Sequence, residues 1–181
     1  MARGTTLTRL LDMLRAETRT SLNPAHNNQV RDQQVLLLQM TQEWLWDDFD
    51  WPHLRVERQQ PAQNGQRFYD TPLNVKIDRI LEIRLRYGQR WVRLAPGIEL
   101  EHYRQWDSEL DMRSWPISRW RIWDDEQIEV WPIPAMNADP TVKEGYLNVV
   151  GIRNLNPLVD ANDTSDLDDW LLVLFAAADM L

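Results

Sequence analysis

Apolar residues between Ser118 and Pro134 fall at every second position. Trp120 and Ile122 alternate with Arg119, Arg121 and Trp123; Asp124, Asp125, Glu126 and Gln127 interrupt; Ile128, Val130 and Pro132 then alternate with Glu129 and Trp131. A period of two on both sides of a polar break predicts a β-hairpin. Arg and Trp of the first arm, with Glu129 and Trp131 of the second, are expected to point outward and form cross-strand cation–carboxylate and aromatic pairs, while Ile and Val fill the other face. Pro132 and Pro134 have no N–H to donate and end the ladder.

The N-terminal pattern is different. Leu7, Leu10, Leu11 and Leu14 recur at i, i+3, i+4 and i+7 behind Thr5 or Thr6, which predicts a capped helix ended by Asn23-Pro24. Asn27 or Asn28 is placed to cap a second helix from Gln29 to Trp46, with Val30, Leu37 and Trp44 seven apart and Leu36 and Met40 widening the stripe. The two helices form an αα-hairpin. Mutual core burial is the ordinary use of such stripes, and a partner subunit is the other.

Beyond Asp47–Trp51 the chain turns to strands. His53 to Glu57 alternates, Gln59 to Gln66 reads as a loop, and Arg67-Phe68-Tyr69 as a short strand. From Asp78, Leu81, Ile83, Leu85 and Tyr87 share one face against Glu82, Arg84 and Arg86, a half-buried antiparallel strand. Gly88-Gln89 turns it back into Trp91–Leu94. Between Ile98 and Leu110, Leu100, Tyr103 and Trp106 fit a short helix across the sheet. Thr141 to Val150 is apolar on both faces, as in a strand inside a sandwich. Thr164-Ser165-Asp166 reads as a helix start with Asp168 and Asp169 near its positive end, and WLLVLFAAADML continues to Leu181. A helix apolar nearly all round is expected to be covered by this domain, by a neighbour, or by further chain beyond Leu181.

Composition narrows the function classes. Apolar residues at 43% and charged residues at 27% are ordinary for a globular chain, whereas ten Trp in 181 residues are not. A net charge of -8 argues against sequence-independent phosphate binding, which needs an excess of Lys and Arg. It does not forbid contact with DNA, since an acidic wall lets DNA pass without sticking. Cysteine is absent, which removes disulfides, thiolate metal sites and a cysteine nucleophile. The N-terminus lacks the apolar core of a secretory signal and no run reaches membrane-spanning length, so an intracellular origin is expected.

Catalytic patterns are missing. His26, His53 and His102 are scattered, and there is no glycine-rich phosphate loop or G-x-S-x-G turn. The acidic clusters at residues 47–50, 124–126 and 166–169 suit a helix end, a hairpin tip and a helix start better than a hard-cation loop or a hydrolase carboxylate pair. No cofactor is expected. Trp91, Trp115, Trp120, Trp123 and Trp131 lie on or beside strands, where aromatics fill cores, anchor protein interfaces, or stack on sugars. A carbohydrate-binding sandwich using Trp91, Trp120, Trp123 or Trp131 is therefore the alternative reading.

The order of elements and several phrases, WLWDDFDW, RFYDTPLNVKIDRILEIRLRYGQRWVRL, IEVWPIP and KEGYLNVV, resemble the head-to-tail adaptor proteins of tailed bacteriophages, in particular the group similar to the tail tubular protein A of short-tailed phages. The resemblance spans nearly the whole chain. It implies a ring of twelve copies under the portal, made in the host cytoplasm and residing in the virion neck, which continues the DNA channel toward tail or nozzle proteins without binding DNA specifically or touching a membrane. Family members commonly continue past the last helix into a tail that docks on the portal, whereas this chain ends at Leu181.

The expected fold is α+β, an N-terminal αα-hairpin (1–50) and C-terminal helix (154–181) packed with an antiparallel β-sandwich (51–153). A closed ring needs heterologous interfaces. Arg84 and Arg86 facing Asp124, Asp125 and Glu126 of a neighbour would make one such pairing. Trp91, Arg119, Arg121, Trp123, Trp131, Trp170 and Leu174 are the further interface candidates.

Overall fold

The computed structural model describes residues 3–20, 28–107, 109–124 and 126–180, with the side chains at 28 and 29 excepted. In chain order the elements are α1 (Leu7–Glu17), α2 (Asn28–Asp48), β1 (Arg55–Pro61), β2 (Phe68–Asp70), β3 (Ile80–Tyr87), β4 (Arg90–Arg93), β5 (Ala95–Pro96), α3 (Leu100–Gln105), β6 (Arg119–Trp123), β7 (Gln127–Trp131), β8 (Tyr146–Ile152) and α4 (Asp169–Met180). They divide into a helical unit, Met1–Leu54 with Leu155–Leu181, and a β unit, Arg55–Asn154. The fold is α+β.

In the helical unit, α1 buries the leucine stripe that its spacing predicts, Leu7, Leu10, Leu11 and Leu14. Each such burial contributes roughly 2 kcal/mol. Thr6 holds the N-cap position but its side chain makes no capping bond. The amides of Leu7 and Thr8 donate instead to the carbonyls of Asp163 and Ala161, so a distant loop satisfies the first turn. The helix stops at Glu17, where Thr18 Oγ1 donates to Leu14 O at 2.9 Å and Arg19 turns left-handed with φ 54°. That is upstream of Asn23-Pro24, which lies outside the described residues, as does Asn27.

The second helix departs from its predicted stripe. Gln34, Leu38, Thr41, Gln42 and Leu45 are buried, whereas Leu36, Met40 and Trp44 are exposed. Polar contacts select the inward face: Arg15 Nε donates to Gln34 Oε1 at 3.0 Å, Gln39 Nε2 to Leu158 O at 2.6 Å, and Gln42 Nε2 to Asn156 O at 3.2 Å. The last helix begins later than Thr164. Asp168 is its cap, its Oδ1 accepting from Leu171 N at 3.0 Å, while Ser165 Oγ accepts from Leu167 N in the preceding turn. Its inward residues are Leu172, Val173, Ala176 and Ala177, and buried Asp169 accepts from Thr5 Oγ1 at 2.5 Å.

The β unit is a sandwich of two four-stranded sheets, ordered β1-β8-β3-β4 and β2-β7-β6-β5. Ile83, Leu85, Leu147 and Val149 of the first sheet meet Tyr69, Trp120, Ile128 and Val130 of the second. β1 starts at Arg55, since Pro52–Leu54 forms a single 3-10 turn. The turn Gly88-Gln89 has φ +58° and +62°, positive at both positions, the geometry of a type I′ hairpin. β8 is shorter at its start than the apolar run suggests. Residues Asp139 and Glu144 exchange backbone hydrogen bonds in a turn, and Gly145 follows at φ +78° with Ala138 Cα 2.9 Å from where a Cβ would sit. β8 is central in its sheet and buried from Leu147 to Ile152.

The outer face of the second sheet is not open. The segment Ile98–Trp106, with α3 inside it, packs Ile98, Tyr103 and Trp106 against Trp131 and Ile133. Glu129 and Trp131, expected to point outward into solvent, are 0% and 2% exposed.

Candidate interaction surfaces

Beneath α3 lies the most strongly charged interior position of the β unit. Glu129 sits mid-strand in β7, opposite Arg121 in β6 and Phe68 in β2. Arg67 Nη2 reaches Glu129 Oε1 at 2.6 Å and Arg121 Nε reaches Oε2 at 2.5 Å. Tyr103 of α3 donates its hydroxyl to the same carboxylate at 2.9 Å. Aromatic faces hold the cations: Arg67 Cζ lies 5.1 to 5.2 Å from the ring centroids of Phe68, Tyr103 and Trp131, and Arg121 Cζ lies 4.6 Å from that of Trp123. Burial pushes the Tyr103 hydroxyl pKa above 10.0, and the hydrogen bond to anionic Glu129 acts in the same direction.

This network is saturated. Its carboxylate accepts from two guanidinium groups and a phenol, so it clamps α3 to the sheet and offers no base to a substrate. Arg67 and Tyr103 were not candidates from sequence; Glu129 was expected to pair with an arginine across the hairpin, as it does with Arg121, but not to be buried. The one signal for Glu129 is a charged residue flanked by Ile128 and Val130 in a strand whose alternate face also carries Trp131.

The remaining candidates on the β unit separate into occupied and open groups. Arg84 is paired with Glu82, which also faces Arg55 at 3.6 Å and Arg93 at 3.4 Å. Arg119 donates to Gly97 O at 3.2 Å. Trp91 lies under Arg86, whose Cζ is 5.5 Å from the ring centroid. Asp124 and Glu126 are exposed at the hairpin turn, Asp124 with φ 52°, and Asp125 lies outside the described residues. Trp123 is half-exposed beside Phe68. Trp120 and Trp131 are core residues, which removes both from the tryptophans expected to stack on a sugar and removes Trp131 from the interface candidates; of that group Trp91 and Trp123 stay at the surface.

The helical unit carries exposed apolar side chains on two of its helices. Leu36, Met40 and Trp44 form an i, i+4, i+8 stripe on the outer side of α2, and Trp170, Leu174 and Phe175 lie on the outer side of α4. Trp44 and Phe175 join the two stripes, their ring centroids 5.5 Å apart. Met40 is 59% and Trp44 is 55% exposed. Isolated apolar residues at a surface need no explanation, but a joined group of six does. Among the described residues no helix is long and apolar enough to cross a membrane, and no group of three or more His, Asp or Glu is gathered as metal ligands.

The family model of the SU10 adaptor protein matches residues 5–181, and the chain belongs to this family of phage adaptor proteins. Such adaptors are structural components of the virion, in its neck, and associate with portal and tail components. A search of curated proteins finds no match.

Proposed function

We propose that this protein is a head-to-tail adaptor that forms a ring below the portal, continues the DNA channel, and supplies the platform on which tail or nozzle proteins dock. Twelve copies, as in the group similar to tail tubular protein A, is the number we favour. The observation that carries this reading is the apolar face made by Leu36, Met40 and Trp44 of α2 with Phe175, Leu174 and Trp170 of α4. Its Trp, Met and Phe are residue types enriched at protein interfaces. A ring in which each copy meets the next through different surfaces lets such a face be covered on every copy. The net charge of -8 fits a conduit that does not retain its DNA.

Native mass spectrometry of the full chain, alone and co-expressed with the portal protein of the same genome, tests the reading. A portal complex carrying a ring of copies is expected. A monomer that binds neither itself nor the portal would sink it.

A further inference from the structure

A second open site lies on the β unit. A cleft of about 440 Å³ is lined by Gln59 of β1, Arg86 of β3, Tyr146 at the start of β8, and Pro140 and Lys143 of the turn before it. Both ionisable cations in this lining, Arg86 and Lys143, make no ion pair among the described residues, and no acidic side chain lines the cleft. Arg86 Nε is buried with no hydrogen-bond partner, although the guanidinium is held over the Trp91 ring. An unsatisfied buried donor on a positioned cation is costly unless an acceptor arrives. The turn that presents Lys143 is fixed by the Asp139–Glu144 backbone pair and by Gly145 N donating to Arg86 O at 2.9 Å.

We propose that this cleft receives a carboxylate, and that the carboxylate is Asp124 or Glu126, at the hairpin turn of a second copy of this chain. The proposal rests on the ring reading and narrows it. Within one chain the two features cannot meet. Pro61 paired with Tyr146 and Leu85 paired with Leu147 put the cleft at one end of the sandwich. Gly65 N donating to Pro134 O, and Ala138 N to Ala62 O, bring the far end of β7 to that same end. Asp70 paired with Gln127 puts the acidic turn at the other, five strand residues away, or about 16 Å. Cationic cleft and acidic turn at opposite ends of one unit make a head-to-tail pair between copies, the arrangement a heterologous ring uses. Arg84, the other arginine of this strand face, is occupied by Glu82 and takes no part.

Charge reversal in the full chain tests this. Arg86→Glu with Lys143→Glu is expected to weaken self-association in the portal-templated ring by about tenfold or more, as is Asp124→Lys with Glu126→Lys. Combining all four changes is expected to recover most of the loss. Lys143→Glu alone, at an exposed turn residue, serves if the Arg86 variant fails to fold, as judged by its circular dichroism. A ring indifferent to the cleft reversals overturns the cleft and leaves the adaptor reading standing. Weakening that the reversed turn does not restore also overturns it, and assigns the cleft to an acidic segment of another protein. An unaltered chain that forms no ring with or without portal overturns both.

Discussion

Glu129→Gln keeps the shape of the side chain and removes its charge. Arg67 and Arg121, with side chains 24% and 30% exposed, then face no carboxylate. A loss of about 3 kcal/mol is expected, because breaking a buried pair strands its partners. It would be read as a lower urea midpoint with an unchanged slope. Tyr103 responds to pH in a defined direction. Its folded pKa is raised above 10.0, so the folded state holds a proton that the unfolded state has released, and stability falls as pH climbs from 10.0 through the folded value. Tyr103→Phe is expected to flatten that fall and to remove a component from the alkaline end of the tyrosinate absorbance titration. The cross-strand pairing of Arg121 with Glu129 was legible in the local sequence, whereas its burial and its links to Arg67 and Tyr103 were not. Period-two spacing sets Glu129 and Trp131 on the face opposite Ile128 and Val130, which is where they are, but the cover over that face comes from Ile98–Trp106, a segment that no local pattern ties to β7.

The hairpin itself, β6 with β7, was legible at the scale of the element, because alternation and the two closing prolines act through neighbours along the chain. So was α1, whose leucine spacing needs nothing beyond its own turns. The second helix was legible as a helix but not in its orientation. Leu36, Met40 and Trp44 fit an apolar stripe as well as Leu38 and Leu45 do, and the choice fell to Gln34, Gln39 and Gln42, which find partners in Arg15, Leu158 and Asn156. Glutamine hydrogen bonds to distant partners leave no periodicity to read. The start of α4 was misplaced for a related reason, since Ser165 and Asp168 are both competent caps and only Asp168 is used by the helix. The exposed stripe leads to a separation of stability from assembly. Met40→Ser and Trp44→Ser together are expected to leave the monomer's urea midpoint nearly unchanged, each exposed change costing about 0.5 kcal/mol or less. Ring formation with the portal is expected to be lost, as seen by native mass spectrometry.

For the whole molecule, charge sets behaviour toward its cargo. With 28 acidic against 20 basic residues, the chain is expected to show no retention of double-stranded DNA in a gel-shift assay even at low salt, where electrostatic binding is strongest. The order in which the chain is made has a separate effect. The helical unit is closed by segments from both sides of the β unit: Leu7 and Thr8 of the first helix take their carbonyl partners from residues 161–163, and Gln39 and Gln42 of the second take theirs from residues 156–158. During synthesis the complete β unit therefore precedes the residues that finish the helical one. Trp44 waits for Phe175, and the apolar face has its full extent only after the ribosome has passed that codon. A chain stopped before Phe175 lacks the Trp44–Phe175 contact, and with it the join between the two apolar stripes.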